Sequence, residues 1–327
     1  MFGAGESRLQ AAHAGYGVGR GDRDILRAAQ ADIGDGHSVA ELKQSTLTRK
    51  GLVEAIVGGA ESGDVRKIRT PPGHEVVLKV EGLSRFPKVQ GVSFNLHRRE
   101  VLGIGGLVGA GRSELARLIY GADRADAGRM MLEGNPYTPR SPATAMACGV
   151  GLVPEERRTE RLILSKSVGF NVGLANLQKL VVSSYLPLIN GKAQAALARD
   201  TIRALSIKAP GVDTPVSQLS GGNQQKVVIG RWLQRVPHVL ILDEPTRGVD
   251  IGARVEIHRL IRRLADEGMA VLVISSEPDE LPDLCDRVIV MAEGKFVREL
   301  CGDAVTRASI IEASYTEPQS ATGGATT

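Results

Sequence analysis

The sequence predicts an α/β domain with a largely parallel core. Uninterrupted apolar runs recur at 239–242, 270–274 and 288–291, as expected of strands buried on both faces. Segments of helical period separate such runs. In 251–267, Ile257, Leu260, Ile261 and Leu264 share one face. A short apolar run at 101–105 ends in glycines and leads into helical spacing at 114–120. Composition narrows the function classes. At 42% hydrophobic residues the chain can bury a real core, which excludes wholesale disorder. A net charge of +4 and 3% aromatics give little drive toward nucleic acid and few surfaces for base stacking. No apolar run reaches the roughly 18 residues of a membrane span.

The elements follow in order. Residues 1–34, rich in Ala, Gly, Arg and Asp, have weak periodicity and are expected to be poorly ordered. Pro71-Pro72-Gly73 marks a boundary. Strands are expected at 75–80, 92–96 and 101–105, and helices at 114–120, 193–205, 223–234 and 251–267. The tail beyond Ala313, rich in Ser, Thr, Gly and Ala, is expected to be disordered. Trp232 reads as core packing and Cys285 as a small buried hydrophobe. Cys148, Cys285 and Cys301 lack metal-ligand spacing and suit a reducing compartment. His238 and His258 have no metal-spaced partner.

An internal repeat adds to this. Residues 36–55 align without gaps on 294–313, with identities at Gly36/Gly294, Val39/Val297, Glu41/Glu299, Leu42/Leu300, Thr48/Thr306, Arg49/Arg307, Glu54/Glu312 and Ala55/Ala313. Upstream of Gly36 no match is evident. The chain reads as the tail of one unit followed by one complete unit.

Three motifs carry chemistry. Gly106, Gly109, Ala110, Gly111, Arg112, Ser113 and Glu114 lie in a glycine-rich loop between an expected strand and helix. The spacing is that of a phosphate-binding loop, whose backbone N–H groups and helix N-terminus attract phosphate oxygens. Ser113 would put its hydroxyl on Mg²⁺. Arg112 stands where a lysine is usual, and its planar guanidinium is no simple substitute. Taken alone, the loop could be a tight strand-to-helix turn. Asp243 and Glu244 emerge at the end of an apolar strand, where ligands bind in open α/β sheets. Asp243 would hold Mg²⁺ and Glu244 would polarise an attacking water. Ser220, Gly221, Gly222 and Gln224 open the helix before that strand, with Ser220 suited to be its cap or a phosphate ligand.

LSGGNQQK followed by LILDEPTRGVD resembles the nucleotide-binding subunit of ABC transporters. GLVGAGRSEL, GLVPEERR and VISSE resemble the second cassette of the tandem sugar-importer branch of ribose, xylose, arabinose and galactose type. The resemblance implies a P-loop NTPase ABC cassette, with a mixed sheet, a RecA-like core and a helical subdomain at about 165–222. It divides the chain into a non-family-like start, 1–34; a first-cassette remnant and linker, 35–70; the nucleotide-binding domain, 71–303; and a helix remnant with tail, 304–327. It implies ATP and Mg²⁺ as ligands and Glu244 as the catalytic carboxylate. Ser220, Gly221, Gly222 and Gln224 would contact a partner's ATP, and Asp250 would belong to the loop crossing the dimer interface. Glu155 falls at the Q-loop position, which senses Mg²⁺, and Ser276 at the position of the switch histidine. Ser113, Asp243 and Glu155 would surround the metal. Phe86 is the nearest candidate to stack on adenine, at short spacing from the loop.

Arg112 for Lys, Glu155 for Gln and Ser276 for His all fall on one phosphate site. Their joint role predicts a large loss of turnover there. The expected partners are a second ABC cassette, transmembrane permease subunits and, indirectly, a periplasmic sugar-binding protein, with no nucleic acid. The expected location is peripheral, on the cytoplasmic face of the inner membrane. Rival readings are a truncated, non-hydrolysing nucleotide-binding fragment or regulatory module, a nucleoside-type importer ATPase, and a soluble ABC-type ATPase. The intact Asp243-Glu244 pair favours sugar over nucleoside, and the missing long heptad run disfavours the soluble class.

Overall fold

The computed structural model describes residues 28–32, 38–43, 74–155, 162–182 and 188–316. Residues 44–70 of the remnant and linker expected at 35–70, most of the start expected to be poorly ordered and the tail beyond 316 lie outside these residues. The chain divides into two units, Met1–Gly63 and Asp64–Thr327.

In the first unit, β1 (Ala28–Asp32) pairs antiparallel with β2 (Ser38–Lys43). β1 falls inside 1–34 and so departs from the expected lack of order there. The offset of 258 places β2 within β12 (Lys295–Cys301) and β1 across β11 (Arg287–Ala292), which also form an antiparallel pair. The repeat therefore extends one strand upstream in backbone form, where side-chain identity had faded.

The second unit holds two sheets. β3 (Val76–Arg85), β4 (Val89–His97), β6 (Ala127–Leu132) and β7 (Asn135–Pro136) form an antiparallel sheet in the order β4-β3-β6-β7. Leu78 pairs with Leu96 and Leu132, and Val80 with Phe94 and Met130, which turns one apolar face inward. The six-stranded sheet has the order β12-β11-β5-β10-β9-β8, built with β5 (Val101–Gly106), β8 (Val150–Val153), β9 (Val239–Asp243) and β10 (Ala270–Ile274). Its neighbours are parallel except for the edge pair β11–β12. All five residues of β9 and of β10 are buried, so their unbroken apolar runs follow from cover on both faces.

Helices pack around these sheets. α1 (Arg112–Ile119) follows β5, α2 (Pro142–Ala147) precedes β8, and α3 (Val168–Gly173), α4 (Leu177–Leu180) and α5 (Gly191–Ala204) form the helical region. α6 (Gly221–Leu233) leads into β9. α7 (Ile251–Asp266), α8 (Leu281–Leu284) and α9 (Arg307–Ser314) complete the unit. The helical region is tied to α6 by Arg231 Nε donating to Asn171 O at 3.0 Å and Asn176 Nδ2 donating to Arg231 O at 3.1 Å. Trp232 is buried edge-on to Tyr120, with ring centroids 6.3 Å apart. Among the described residues, no helix is long and apolar enough to cross a membrane.

Candidate nucleotide site

The loop after β5 is shaped by two glycines. Gly106 has φ +144° and Gly111 φ +100°, values that L side chains rarely adopt. A Cβ on Gly106 would run into the Met291 carbonyl, its neighbour across β11, and one on Gly111 into the Lys88 carbonyl in the β3–β4 turn. The loop is therefore pressed against the sheet from one side and against that turn from the other. Gly111 caps α1 with no side-chain hydrogen bond, so the first N–H groups of the helix lack partners within it.

A cleft of about 170 Å³ opens on this loop. Its lining includes Gly109, Gly111, Arg112, Ser113 and Glu114 from the loop, with Glu155, Glu244 and Ser276 from three other segments. The sheet order explains the convergence, since β5, β8, β9 and β10 run parallel and deliver their C-terminal ends to one edge. Gly106 and Ala110 shape the loop without lining the cleft; the Ala110 N–H donates to Leu107 O at 3.1 Å. Ser113 and Glu155 also border an adjoining cavity of about 510 Å³, which Asp243 lines without reaching the cleft. This brings the three expected metal ligands to one space. Mg²⁺ favours one or two carboxylates together with substrate phosphates, and that donor set suits it.

Arg112 is buried, with Nη1 3.6 Å from Glu244 Oε1. Its Nε and Nη1 have no hydrogen-bond partner among the described residues. Burial pushes the guanidinium pKa below its ordinary value, against the attraction of Glu244, Asp243 and Glu114. A buried cation with unused N–H groups fits an anion in the cleft.

Glu244 follows β9 with φ +50°, and its N–H donates to Ile274 O at 2.8 Å. Its Oε1 accepts from Ser276 N–H at 2.8 Å. Burial raises its pKa above the usual carboxylate value, partly offset by hydrogen bonds from Ser276 and by Arg112. Ser276 thus grips the carboxylate beside the cleft. Glu155 forms an ion pair with Arg247 Nη1. Arg247 and Glu277 also line the cleft, and sequence reasoning had not singled them out. Both stand inside quoted motifs, DEPTRGVD and VISSE, but the motifs alone do not say which side chains turn inward.

The remaining expected residues gather elsewhere. Ser220 caps α6, its Oγ accepting from Asn223 N and Nδ2 at 3.5 and 2.9 Å. Gln224 Nε2 donates to Val216 O and Leu219 O at 3.2 and 3.0 Å, fastening the segment before the helix. Gly222 sits against α7, where a Cβ would collide with that of Ala253. Asp250 caps α7, its Oδ1 accepting from Ala253 N–H at 2.8 Å. Among the described residues, Ser220, Gly221, Gly222, Gln224 and Asp250 line neither the cleft nor the adjoining cavity. Phe86 is 77% exposed in the β3–β4 turn.

His258 and His238 have carboxylate partners rather than metal-ligand clusters. His238 Nδ1 lies 3.0 Å from Glu133 Oε1, and His258 Nε2 lies 3.1 Å from Glu280 Oε1. Among the described residues, no group of three or more His, Cys, Asp or Glu side chains could hold a metal by itself.

Residues 89–247, from β4 through the loop, α6 and Glu244, match the family described as ABC transporter. The chain carries an ABC transporter domain. Its relatives include the ribose import ATP-binding protein RbsA of Chelativorans sp. (strain BNC1), 42% identical over 282 residues, 86% of this chain and 55% of that protein. Another is a putative ribose/galactose/methyl galactoside import ATP-binding protein of Rhizobium meliloti (strain 1021), 43% identical over 283 residues, 86% of this chain and 56% of that protein. The chain spans about half the length of these curated relatives. The ABC domain also resembles solved cassettes. A nucleotide-free ATP-binding cassette from an ABC transporter superposes with a TM-score of 0.62 at 23% identity, covering 74% of this chain and all of that one. CbiO1 of Clostridium perfringens gives 0.58 at 26%, covering 69% of this chain and 88% of that one. The fold of the ABC domain is that of a P-loop ABC cassette, with mixed sheet and helices.

Proposed function

We propose that this chain is the ATP-binding, energising component of a bacterial importer for simple sugars, peripheral on the cytoplasmic face of the inner membrane. It binds MgATP in a degenerate site of its own and lends an intact LSGG signature to the site of a partner cassette. The split of the site residues carries this reading. The phosphate loop, Glu155, Glu244 and Ser276 share one cleft, while Ser220, Gly222 and Asp250 lie outside it. A signature separated from its own cleft has work to do only against a second cassette. The ribose and galactoside import names of the relatives support sugar as cargo. Permease subunits and a periplasmic sugar-binding protein then follow as partners.

Within this reading the loop N–H groups and the start of α1 hold the phosphates. Arg112 adds its unused N–H groups to them. Bound Mg²⁺, held by Ser113 and Asp243 with Glu155 nearby, would supply neutralisation of phosphate charge. Glu244 orients and polarises the water. Its raised pKa suits a proton acceptor. Two other groups work against turnover. Ser276 offers a hydroxyl where the switch position carries an imidazole, its backbone N–H being engaged with Glu244, and Glu155 is drawn to Arg247. Phe86, exposed beside the loop, is the candidate surface for adenine.

The test is ATPase activity of this chain assembled with a complete first cassette. Ser220→Arg is expected to cost about 100-fold or more in kcat, the scale of a lost transition-state contact. Glu244→Gln is expected to leave most turnover in place, because the productive site is the partner's. Equal loss in both variants overturns the asymmetric assignment.

A further inference from the structure

Behind Glu244 lies a buried carboxylate that no motif accounts for. Glu280 is 2% exposed, just ahead of α8. Three donors from three segments converge on it. Thr246 Oγ1 donates to its Oε1 at 2.7 Å, Ser275 Oγ donates to its Oε2 at 2.6 Å, and His258 Nε2 lies 3.1 Å from Oε1. Thr246, Ser275 and His258 are each at most 4% exposed. The carboxyl resists burial, which alone would raise its pKa. Hydrogen bonding to His258 and its charge, with the two hydroxyls, hold it below the ordinary value. Leaving a charged group so deep in the core is costly unless every acceptor is used, and here both oxygens are.

Its partners explain its position. Thr246 is two residues beyond Glu244, in the same turn. Ser275 immediately precedes Ser276, whose N–H holds Glu244 Oε1. One oxygen of Glu280 thus fastens the segment that carries Glu244, and the other fastens the segment that grips it. His258, on α7, ties both to the helix capped by Asp250. We infer that Glu280 is a positioning residue, a buried tether that keeps the Glu244 turn and the Ser276 segment in fixed register across the nucleotide cleft.

The tether acts on phosphoryl transfer through Glu244, and in that respect rests on the function proposed above. It touches neither phosphate nor water. A carboxylate misplaced by about 1 Å can lose on the order of 100-fold in rate, so a residue that only holds two segments together still sets the slow hydrolysis of this chain's own site, apart from the partner's productive one.

Amide hydrogen exchange on the full chain tests this without relying on activity. Thr246→Val should speed exchange by about 10-fold or more in the 244–249 segment, and Ser275→Ala should do so in 274–278, with β5 and β9 unchanged in both. Glu280→Ala should loosen both segments together. The two single-hydroxyl variants carry the test if Glu280→Ala fails to fold. Unchanged exchange in both segments, or an equal rise throughout the domain, overturns the inference. Single-turnover hydrolysis with excess protein gives the catalytic readout. Ser275→Ala should slow it about 10-fold while ATP affinity stays within about two-fold. Unchanged rates, or a wild-type chain with no measurable turnover, overturn the catalytic half. A wild-type chain that does not bind ATP sinks the proposed function, while the exchange result still decides the tether.

Discussion

Glu244 carries two costs at once. Its φ of +50° is unfavourable for a non-glycine residue by about 1–2 kcal/mol, and it persists where surrounding bonds fix it. Its burial also raises the carboxyl pKa above 4.5. Where pH lies above the raised pKa the carboxylate is charged in both folded and unfolded chains, and the folded state bears the penalty. As pH falls toward 4.5 and below, protonation removes the penalty. Glu244→Gln should therefore raise the Tm of the nucleotide-free chain at pH 7, and the gain should shrink steadily toward pH 4. A gain that stays constant across that range would mean the pKa is not raised. Much at this level was legible in the sequence, because backbone constraints leave glycines behind. Gly106 and Gly111 marked the loop, and Asp243-Glu244 marked the strand end. Arg247 and Glu280 were not legible. An arginine in a turn and a glutamate ahead of a four-residue helix are ordinary surface residues until tertiary packing buries one against a hydroxyl cluster and pairs the other across the cleft.

α6 and α7 approach each other through the gap left by Gly222 beside Ala253. That contact falls in the first turn of each helix, close to the Ser220 cap and the Asp250 cap, so both residues proposed to face a partner cassette depend on it. Gly222→Val should push the helices apart and cost about 1–3 kcal/mol, the usual penalty for overpacking. Urea unfolding should show it as a lower midpoint with an unchanged slope. A stability loss under about 0.5 kcal/mol would show that the helices adjust freely. Long periodic elements were readable in advance: β10 has the expected bounds, and α7 differs by one residue at its end. β6, β7, β8 and β12 were missed. β6 opens with three exposed residues, β7 is only two residues long and β8 only four. Strands so short show no period of their own, and they are fixed by the partners they find. The four-stranded sheet was invisible for the same reason.

Taken as a whole, the chain has a large sheet-and-helix unit, Asp64–Thr327, and a smaller unit before it. All six strands of the main sheet and all the residues of the cleft belong to the larger unit. A chain starting at Asp64 should therefore unfold in one cooperative transition and bind ATP as the full chain does. Loss of either property would assign the first unit a part in the site. The repeat was legible as side-chain identity only from Gly36 onward, whereas the β1–β2 pair carries it further in backbone form alone. Hydrogen bonding between strands constrains residue types less than packing does. The β3–β4 turn has one more consequence. The Lys88 carbonyl stops both Gly111 and Gly294, and Gln90 N–H bonds to Gly294 O at 2.8 Å. Surface turns ordinarily accept extra residues freely. This one is a spacer of fixed length, and a library of single-residue insertions across 86–88 should return no variant that retains nucleotide, however soluble those variants are.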